Sequence, residues 1–78
     1  NPHKAAELLI TEDGIKKAIN NLPERLKSPF ILYELQGFKY KEIGKILDVP
    51  LNTVKVNILR ARKQLQKELK EYAREYFK

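Results

Sequence analysis

The residues of this sequence that are best suited to chemistry are lysines and arginines, and they are concentrated towards the C-terminus. Residues 1–50 carry eight Lys and Arg against seven Asp and Glu, whereas residues 51–78 carry eight against three. Most of the net charge of +6 therefore belongs to the last third of the chain. Ammonium and guanidinium groups bind phosphate oxygens, so a localised basic stripe indicates a polyanionic partner, most often nucleic acid. A solvated helix face would explain the charge alone equally well.

Helical spacing separates these cations from the apolar residues of the same stretch. With Val54 set to 0° and about 100° per residue, an apolar stripe lies within about 60° of zero and a basic row lies at about 160–240°. The stripe comprises Val54, Ile58, Ala61, Leu65, Leu69, Tyr72 and Tyr76. The basic residues of the row are Arg60, Lys63, Lys67, Lys70 and Arg74, and Val56 lies among them. The glutamates of this helix fall outside the row, and this segregation of charge strengthens the prediction of nucleic-acid binding.

Other kinds of chemistry have little support in the sequence. The absence of cysteine excludes disulfides, thiolate nucleophiles and most structural zinc sites. His3 is the only histidine, and no nucleophile–base pair, metal-ligand spacing or phosphate-binding glycine loop is present. We therefore expect no enzymatic activity, no cofactor and no metal site. Because the sequence contains neither an apolar run of membrane-spanning length nor a signal peptide, we expect a cytoplasmic protein without a membrane span.

Short turns divide the chain into helices, which predicts an all-α bundle of four to five helices in a single domain, residues 1–78. Because the sequence lacks methionine and starts at Asn1, we expect this domain to be a piece of a longer protein. Residues 4–10 can form a short helical turn. Thr11 or Asp13 can cap the helix that follows, by accepting hydrogen bonds from its free backbone N–H groups.

Two prolines leave the start of the next helix open. Pro23 can occupy the first turn, where a missing N–H costs nothing. Alternatively, Ser28 caps the helix and Pro29 occupies its first turn. Gly37 then ends the helix, because glycine can adopt the left-handed conformation at a helix C-terminus.

The next two helices and the turn between them form a helix-turn-helix over about residues 40–66. The first of them runs from Tyr40 to Leu47. Asp48 tolerates the left-handed conformation that such a turn requires. Asn52 is a strong N-cap for a long final helix that runs from about Thr53 to beyond Tyr72.

Apolar residues are expected to hold the two helices of this motif together. Those facing inward from the first helix are Ile43, Ile46 and Leu47. The bracing contacts between the helices involve Ile43, Leu47, Leu51, Val54 and Ile58. Gly44 lies within the first helix at a cost of about 1 kcal/mol relative to alanine, which the close approach of another helix would justify.

In such a motif the second helix lies along the major groove of DNA, with base edges near its N-terminal part and phosphates at the rim. The residues placed to face the groove are Lys55, Val56, Leu59, Arg60 and Lys63. Further candidate DNA-binding residues are Lys39, Tyr40, Thr53 and Arg62, of which all but the tyrosine suit phosphates at the rim. Asn57 could bind adenine, but at about 300° on the helix it lies near the core edge, which favours a backbone contact or a structural role.

The two apolar residues on the outward face, Val56 and Leu59, have two interpretations that we weigh equally. They can pack against thymine methyl groups. They can also be incidental surface residues, or contact a domain outside this chain.

Three motifs occur along the chain: Leu22-Pro23-Glu24, then Gly37 followed by Tyr40, Glu42 and Ile43, then Arg60-Ala61-Arg62. In this order and spacing they resemble the fourth domain of bacterial sigma factors, most of all the extracytoplasmic-function group. The resemblance covers about residues 15–66. It implies a domain that binds the minus-35 promoter element, docks on the flap of the RNA polymerase beta subunit and, in many cases, is held inactive by an anti-sigma factor.

Carried over by position, the resemblance implies roles for individual residues. Those facing the minus-35 bases would be Lys55, Val56, Leu59 and Arg60, with Thr53, Arg62 and Lys63 on the DNA backbone. The polymerase-facing patch would comprise Phe30, Tyr33, Glu34 and Phe38. The chain departs from the family, which usually has alanine at Gly44, glycine at Asp48 and at Asn52, and Ser-Arg at Val56-Asn57. Because of this last difference, the promoter sequence cannot be carried over.

Two other classes of protein compete with this interpretation. The output domain of a response regulator has a similar helix-turn-helix with Thr-Val-Lys at the position of residues 53–55, but usually has a histidine soon after and lacks Arg-Ala-Arg. A protein-interaction module could use the apolar stripe of the final helix to bind another helix, although such a stripe more often packs on helices of its own domain.

Overall fold

The structure is a computed structural model that describes residues 12–76, with side chains described within residues 14–71. Helix α1 spans Glu12–Asn20, α2 spans Glu24–Phe30, a π-helical segment spans Ile31–Leu35, α3 spans Tyr40–Leu47 and α4 spans Leu51–Tyr76. All regular structure in this range is helical, which confirms the all-α class. The predicted turn at residues 4–10, the cap at Thr11, and the side chains of Tyr72 and Tyr76 lie outside what is described. Asp13 lies inside α1, so the alternative prediction that it caps this helix is wrong.

Helix α2 begins directly after Pro23, which confirms the first of the two predicted starts. The Pro23 carbonyl accepts hydrogen bonds from the N–H groups of Leu26 and Lys27, both at 2.9 Å. The Ser28 hydroxyl is not a cap, because it lies in the helix and donates to the Glu24 carboxylate at 3.1 Å. Pro29 is also inside α2, where it has no N–H to donate to the carbonyl four residues earlier.

A wider helical turn follows immediately after α2. The Gln36 N–H donates to the Ile31 carbonyl at 3.1 Å, a span of five residues instead of four. The Phe38 N–H reaches back to the Leu32 carbonyl at 2.9 Å. Gly37 has φ 77°, which confirms that a left-handed glycine ends this stretch.

Helix α3 has the predicted bounds, and both of its ends have specific contacts. At its start, the Glu42 carboxylate accepts a hydrogen bond from the Lys39 N–H at 2.9 Å. This is half of a capping box, since the lysine side chain has no acceptor with which to complete it. At its end, Asp48 has φ 56° and ψ 50°, which confirms the predicted left-handed residue.

Gly44 is required by the turn after α3, and not by another helix as predicted. The Val49 N–H donates to the Gly44 carbonyl at 3.0 Å, which folds the turn back over the end of the helix. A Cβ atom at position 44 would lie 3.0 Å from the Val49 carbonyl oxygen and 3.8 Å from a methyl group of Val54. The tightest neighbour is therefore the backbone of the turn itself.

Helix α4 starts two residues earlier than predicted. The Pro50 carbonyl accepts a hydrogen bond from the Val54 N–H at 3.2 Å, so Pro50 is at the N-cap position. Asn52 lies within the first turn, and the prediction that it caps the helix is wrong. The position of Pro50, directly before the first residue of the helix, was a better guide to its start than the type of side chain at position 52.

The helix-turn-helix is built on three fully buried side chains: Ile43, Val54 and Ile58. The half-buried residues packed against them are Leu32, Tyr33, Phe38, Tyr40, Leu47 and Val49. Two predictions for this core are wrong, because Ile46 is 53% exposed and Leu51 is 44% exposed. Ile46 lies about 60° away from Ile43 on the helix, on the far side from Leu47, and Leu51 is at the solvent-exposed start of α4.

Contacts along the chain define two compact units, residues 23–62 and residues 1–22 with 63–78. The first contains the helix-turn-helix as far as Arg62. The second groups α1 with the C-terminal part of α4, and its buried residues include Ala18, Ile19 and Leu65. This grouping agrees with packing of the apolar stripe on a helix of its own chain. That residues 1–78 act as a single domain stays a prediction.

Candidate nucleic-acid interface

The outward side of α4 presents the cations that its spacing predicted. Lys55, Arg60 and Lys63 are all exposed. Val56 and Leu59 lie on the same side and are 44% and 54% exposed. The prediction that these side chains point outward is therefore confirmed, and the buried Val54 and Ile58 on the other side of the helix explain it.

The start of α4 offers backbone donors beside this cationic face. The first hydrogen bond within the helix is made by Val54, so the N–H groups of Leu51, Asn52 and Thr53 have no acceptor in the helix. Such groups, together with the positive end of the helix dipole, suit a phosphate oxygen. Thr53, predicted to bind phosphate, is half-buried at this end.

Lys39 and Tyr40 lie where α3 begins, and their surroundings differ. Lys39 is exposed, and only its backbone is held, by Glu42. Tyr40 is half-buried, and its ring lies 4.5 Å from the Tyr33 ring, centroid to centroid, with a tilt of 31°. A hydrogen bond to the Tyr33 side chain, with burial as a second cause, raises the pKa of Tyr40.

Arg62 makes contacts that its predicted role at the DNA rim did not anticipate. Its Nε donates to Oε1 of Glu34 at 2.9 Å, and its Nη2 donates to the same oxygen. The guanidinium carbon lies 5.7 Å from the centroid of the Tyr33 ring, within the range of a cation–π interaction. The hydrogen bond to Glu34 raises the pKa of Arg62 further. No sequence pattern indicated this pair, because its members are 28 positions apart.

Asn57 is on the core side of α4 and is 8% exposed. It lines a groove of about 580 Å³ on the 23–62 unit. The other lining residues are Glu24, Arg25, Ser28, Pro29, Leu47, Val49, Thr53, Val54 and Arg60. This position agrees with the structural role expected from its angle on the helix, and it makes a direct contact with a base edge harder to achieve than for Val56 or Arg60.

The four residues predicted to face the polymerase do not form a uniformly exposed patch. Phe30 is 8% exposed and belongs to the core, while Tyr33 and Phe38 are half-buried against the helix-turn-helix cluster. Glu34 holds Arg62. Sequence reasoning missed Leu35, which is 63% exposed beside them. At about 100° per residue Leu35 falls about 140° from the buried Phe30, so helical spacing alone could have identified it as a surface residue.

The structure also bears on metal binding and on membrane insertion. Among the residues that the structure describes, no group of three or more His, Cys, Asp or Glu side chains is arranged to hold a metal ion. Within the same range, no helix has the length and apolar character needed to cross a membrane.

Comparison with known proteins gives a consistent set of relatives. The family described as sigma-70, region 4, matches residues 12–65. An ECF RNA polymerase sigma-E factor of Haemophilus influenzae is 43% identical over 51 residues, which are 65% of this chain and 27% of that protein. An RNA polymerase sigma-H factor of Pseudomonas aeruginosa is 34% identical over 64 residues, 82% of this chain and 33% of that protein. The ECF RNA polymerase sigma-E factor of Escherichia coli is 38% identical over 58 residues, which are 74% of this chain and 30% of that protein. The chain thus spans at most a third of the length of these relatives.

Proposed function

The chain belongs to the sigma-70 region 4 family, and we propose that it binds the minus-35 element of promoter DNA as part of a sigma factor that directs RNA polymerase to transcription initiation. The observation that carries this proposal is the exposed basic side of α4, held by the buried helix-turn-helix core in the part of the chain that matches region 4. The same match favours a sigma factor over the output domain of a response regulator.

Binding proceeds with α4 in the major groove and α3 bracing it from behind. Lys55 and Arg60 face base edges from the first turns of α4, since both are exposed and lie outside the buried stripe. Thr53 and the free N–H groups beside it approach a phosphate. Lys39 and Lys63 supply charge at the two rims. Phosphate contacts set the register of the helix on the duplex, and base contacts set the choice of sequence.

Val56 and Leu59 lie at the centre of this face and give it an apolar component. Each exposes about half of its side chain among cations. In a major groove the apolar group that matches them is the thymine C5-methyl. We therefore propose that the preferred element has adenine–thymine pairs opposite these residues. Asn57 supports the helix from its inner side.

The other partner is the RNA polymerase core, through the flap of its beta subunit. The π-helical segment and the loop after it offer the surface, with exposed Leu35 added to Tyr33, Glu34 and Phe38. Phe30 supports this surface from the core. An anti-sigma factor that covers either face would keep the protein inactive. The protein acts in the cytoplasm, where promoter DNA and polymerase are found, and it acts by binding and not by catalysis.

A selection from random duplexes tests this function. The full-length protein that contains this chain, bound to core polymerase, is used to enrich duplexes that carry a fixed minus-10 region. The expected result is one short asymmetric element at a constant upstream distance, with a relaxed preference at one of its positions when Arg60 is replaced by alanine. Enrichment of a palindrome by the protein without polymerase would support a dimeric regulator instead. Absence of any DNA shift even at low salt, with retained binding to a protein, would support an interaction module.

A further inference from the structure

Arg62 lies at the edge of the side of α4 that is proposed to contact DNA. With Val54 at 0°, Arg62 falls at about 80° and Lys55 at about 100°, whereas Leu59, Val56 and Arg60 fall at about 140°, 200° and 240°. Lys55 is exposed, but the Arg62 side chain points to the π-helical segment, where it contacts Glu34 and Tyr33. Its charge therefore contributes little to the exposed basic row.

The contacts of Arg62 connect three of the four elements in the 23–62 unit: α4, the π-helical segment and α3. Two guanidinium nitrogens bond one oxygen of Glu34. The guanidinium carbon lies over the Tyr33 ring, and this ring in turn packs on Tyr40, the first residue of α3. One side chain of α4 is thus tied to the π-helical segment directly and to the start of α3 through a pair of aromatic rings.

This cluster fixes the orientation of α4 more than it adds to the stability of the fold. The ion pair is partly open to water, with side-chain exposures of 42% for Arg62 and 33% for Glu34, and such pairs add little to the free energy of unfolding. A planar guanidinium held by two hydrogen bonds and a ring face can adopt few orientations. It therefore restricts rotation and sliding of α4 at the point where the DNA-facing part of the helix ends.

We propose that Arg62 is a positioning residue, an inference that rests on the proposed function. Through Glu34 and Tyr33 it sets the angle of α4 on α3, and it does not bind a DNA phosphate. Loss of the cluster should weaken binding to the selected promoter more than binding to unrelated duplex, because a misplaced helix loses base contacts before it loses phosphate contacts.

Charge reversal distinguishes positioning from phosphate binding. The variants are Arg62→Glu, Glu34→Arg and the double reversal, made in the full-length protein and assayed on the selected promoter and on an unrelated duplex at a temperature where each is folded. Each single reversal is expected to lower the ratio of promoter to unrelated-duplex affinity about tenfold, and the double reversal is expected to restore it to within about threefold. The dependence of binding on salt should be that of the unaltered protein in the double reversal.

A matched control and a second readout make the outcome decisive. Arg60→Glu, which reverses a proposed direct contact on the same helix, should not be restored by Glu34→Arg. Recovery of Arg62→Glu only in the double reversal supports the proposal, whereas equal loss in Arg62→Glu and in the double reversal would show that Arg62 binds phosphate. If a reversal fails to fold, Arg62→Gln and Glu34→Gln replace the pair, and matched losses of specificity that do not add in the double variant are the supporting result.

Amide hydrogen exchange in residues 55–60 keeps this proposal separate from the proposed function. Faster exchange in each single reversal and recovery in the double reversal support positioning even if the unaltered protein binds no duplex, an outcome that would overturn the proposed function alone. Unchanged exchange in both single reversals would overturn the positioning role whatever the DNA result.

Discussion

At the scale of single residues, the backbone of the turn between α3 and α4 places demands that only some side chains meet. Asp48 adopts the left-handed conformation, which disfavours residues with a Cβ atom, although aspartate tolerates it better than most. Gly44 gives room to the Val49 carbonyl. These positions fix how α4 leaves the turn, so their effect on DNA binding is indirect.

Replacement of Asp48 by glycine should stabilise the protein. Glycine adopts φ 56° without a steric cost, so Asp48→Gly is expected to raise the free energy of unfolding by about 0.5–1 kcal/mol. Urea denaturation followed by circular dichroism measures this. The control is Lys45→Gly, the same new residue at an exposed, right-handed position of α3, which should lower the free energy of unfolding by about 1 kcal/mol. A loss of stability in Asp48→Gly would mean that the aspartate side chain itself contributes to the turn.

Replacement of Arg60 tests a proposed base contact. Arg60→Ala should lower promoter affinity by about 1–3 kcal/mol and relax the preference at one position of the element. Fluorescence anisotropy on the selected duplex and on its single-base variants gives both quantities. The control is Lys17→Ala, which removes an exposed cation from α1 and should change affinity little. An equal loss on all duplexes would assign Arg60 to a phosphate.

At the scale of elements, the sequence predicted α3 correctly at both ends because each end has a local cause. Gly37 ends the preceding stretch, Glu42 bonds the backbone at Lys39, and Asp48 takes the left-handed conformation. The π-helical segment and the Glu34–Arg62 pair could not be predicted. The first breaks the period on which such predictions depend, and the second joins residues that only the fold brings together. The apolar stripe of α4 was predictable because one regular helix carries it.

Ile43 and Ile46 of α3 were both predicted to face the core, but only Ile43 is buried in the structure. Ile43 is fully buried, so Ile43→Ala should lower the free energy of unfolding by about 2–5 kcal/mol. Ile46 is 53% exposed, and Ile46→Ala should lower it by at most about 0.5 kcal/mol. Thermal and urea denaturation of both variants measure the difference. Similar losses in the two variants would mean that Ile46 faces inward, as its place in the sequence pattern first indicated.

At the scale of the whole molecule, the concentration of positive charge in residues 51–78 determines how binding responds to salt. Four cations are proposed to lie against the DNA, Lys55 and Arg60 in the groove and Lys39 and Lys63 at its rims, and each displaces about one counterion of the phosphate backbone. The logarithm of the association constant should therefore fall with the logarithm of salt concentration with a slope of about −3 to −4. Replacement of one of these lysines by glutamine should reduce the slope by about 0.9. Anisotropy titrations from low to physiological salt measure the slopes, and binding that is independent of salt would contradict a DNA interface.

The wide turn at Ile31–Leu35 has a consequence for how the chain tolerates deletions. One turn there holds an additional residue compared with a regular helix. Removing a single residue from this segment would restore ordinary helical geometry, and the chain on either side would keep nearly its present direction because the wide turn already absorbs one residue. Glu34 lies inside this turn, so the deletion would move or remove the carboxylate that holds Arg62. Homologous chains that are shorter by one between Pro29 and Gly37 should therefore keep the fold and lack this partner of Arg62.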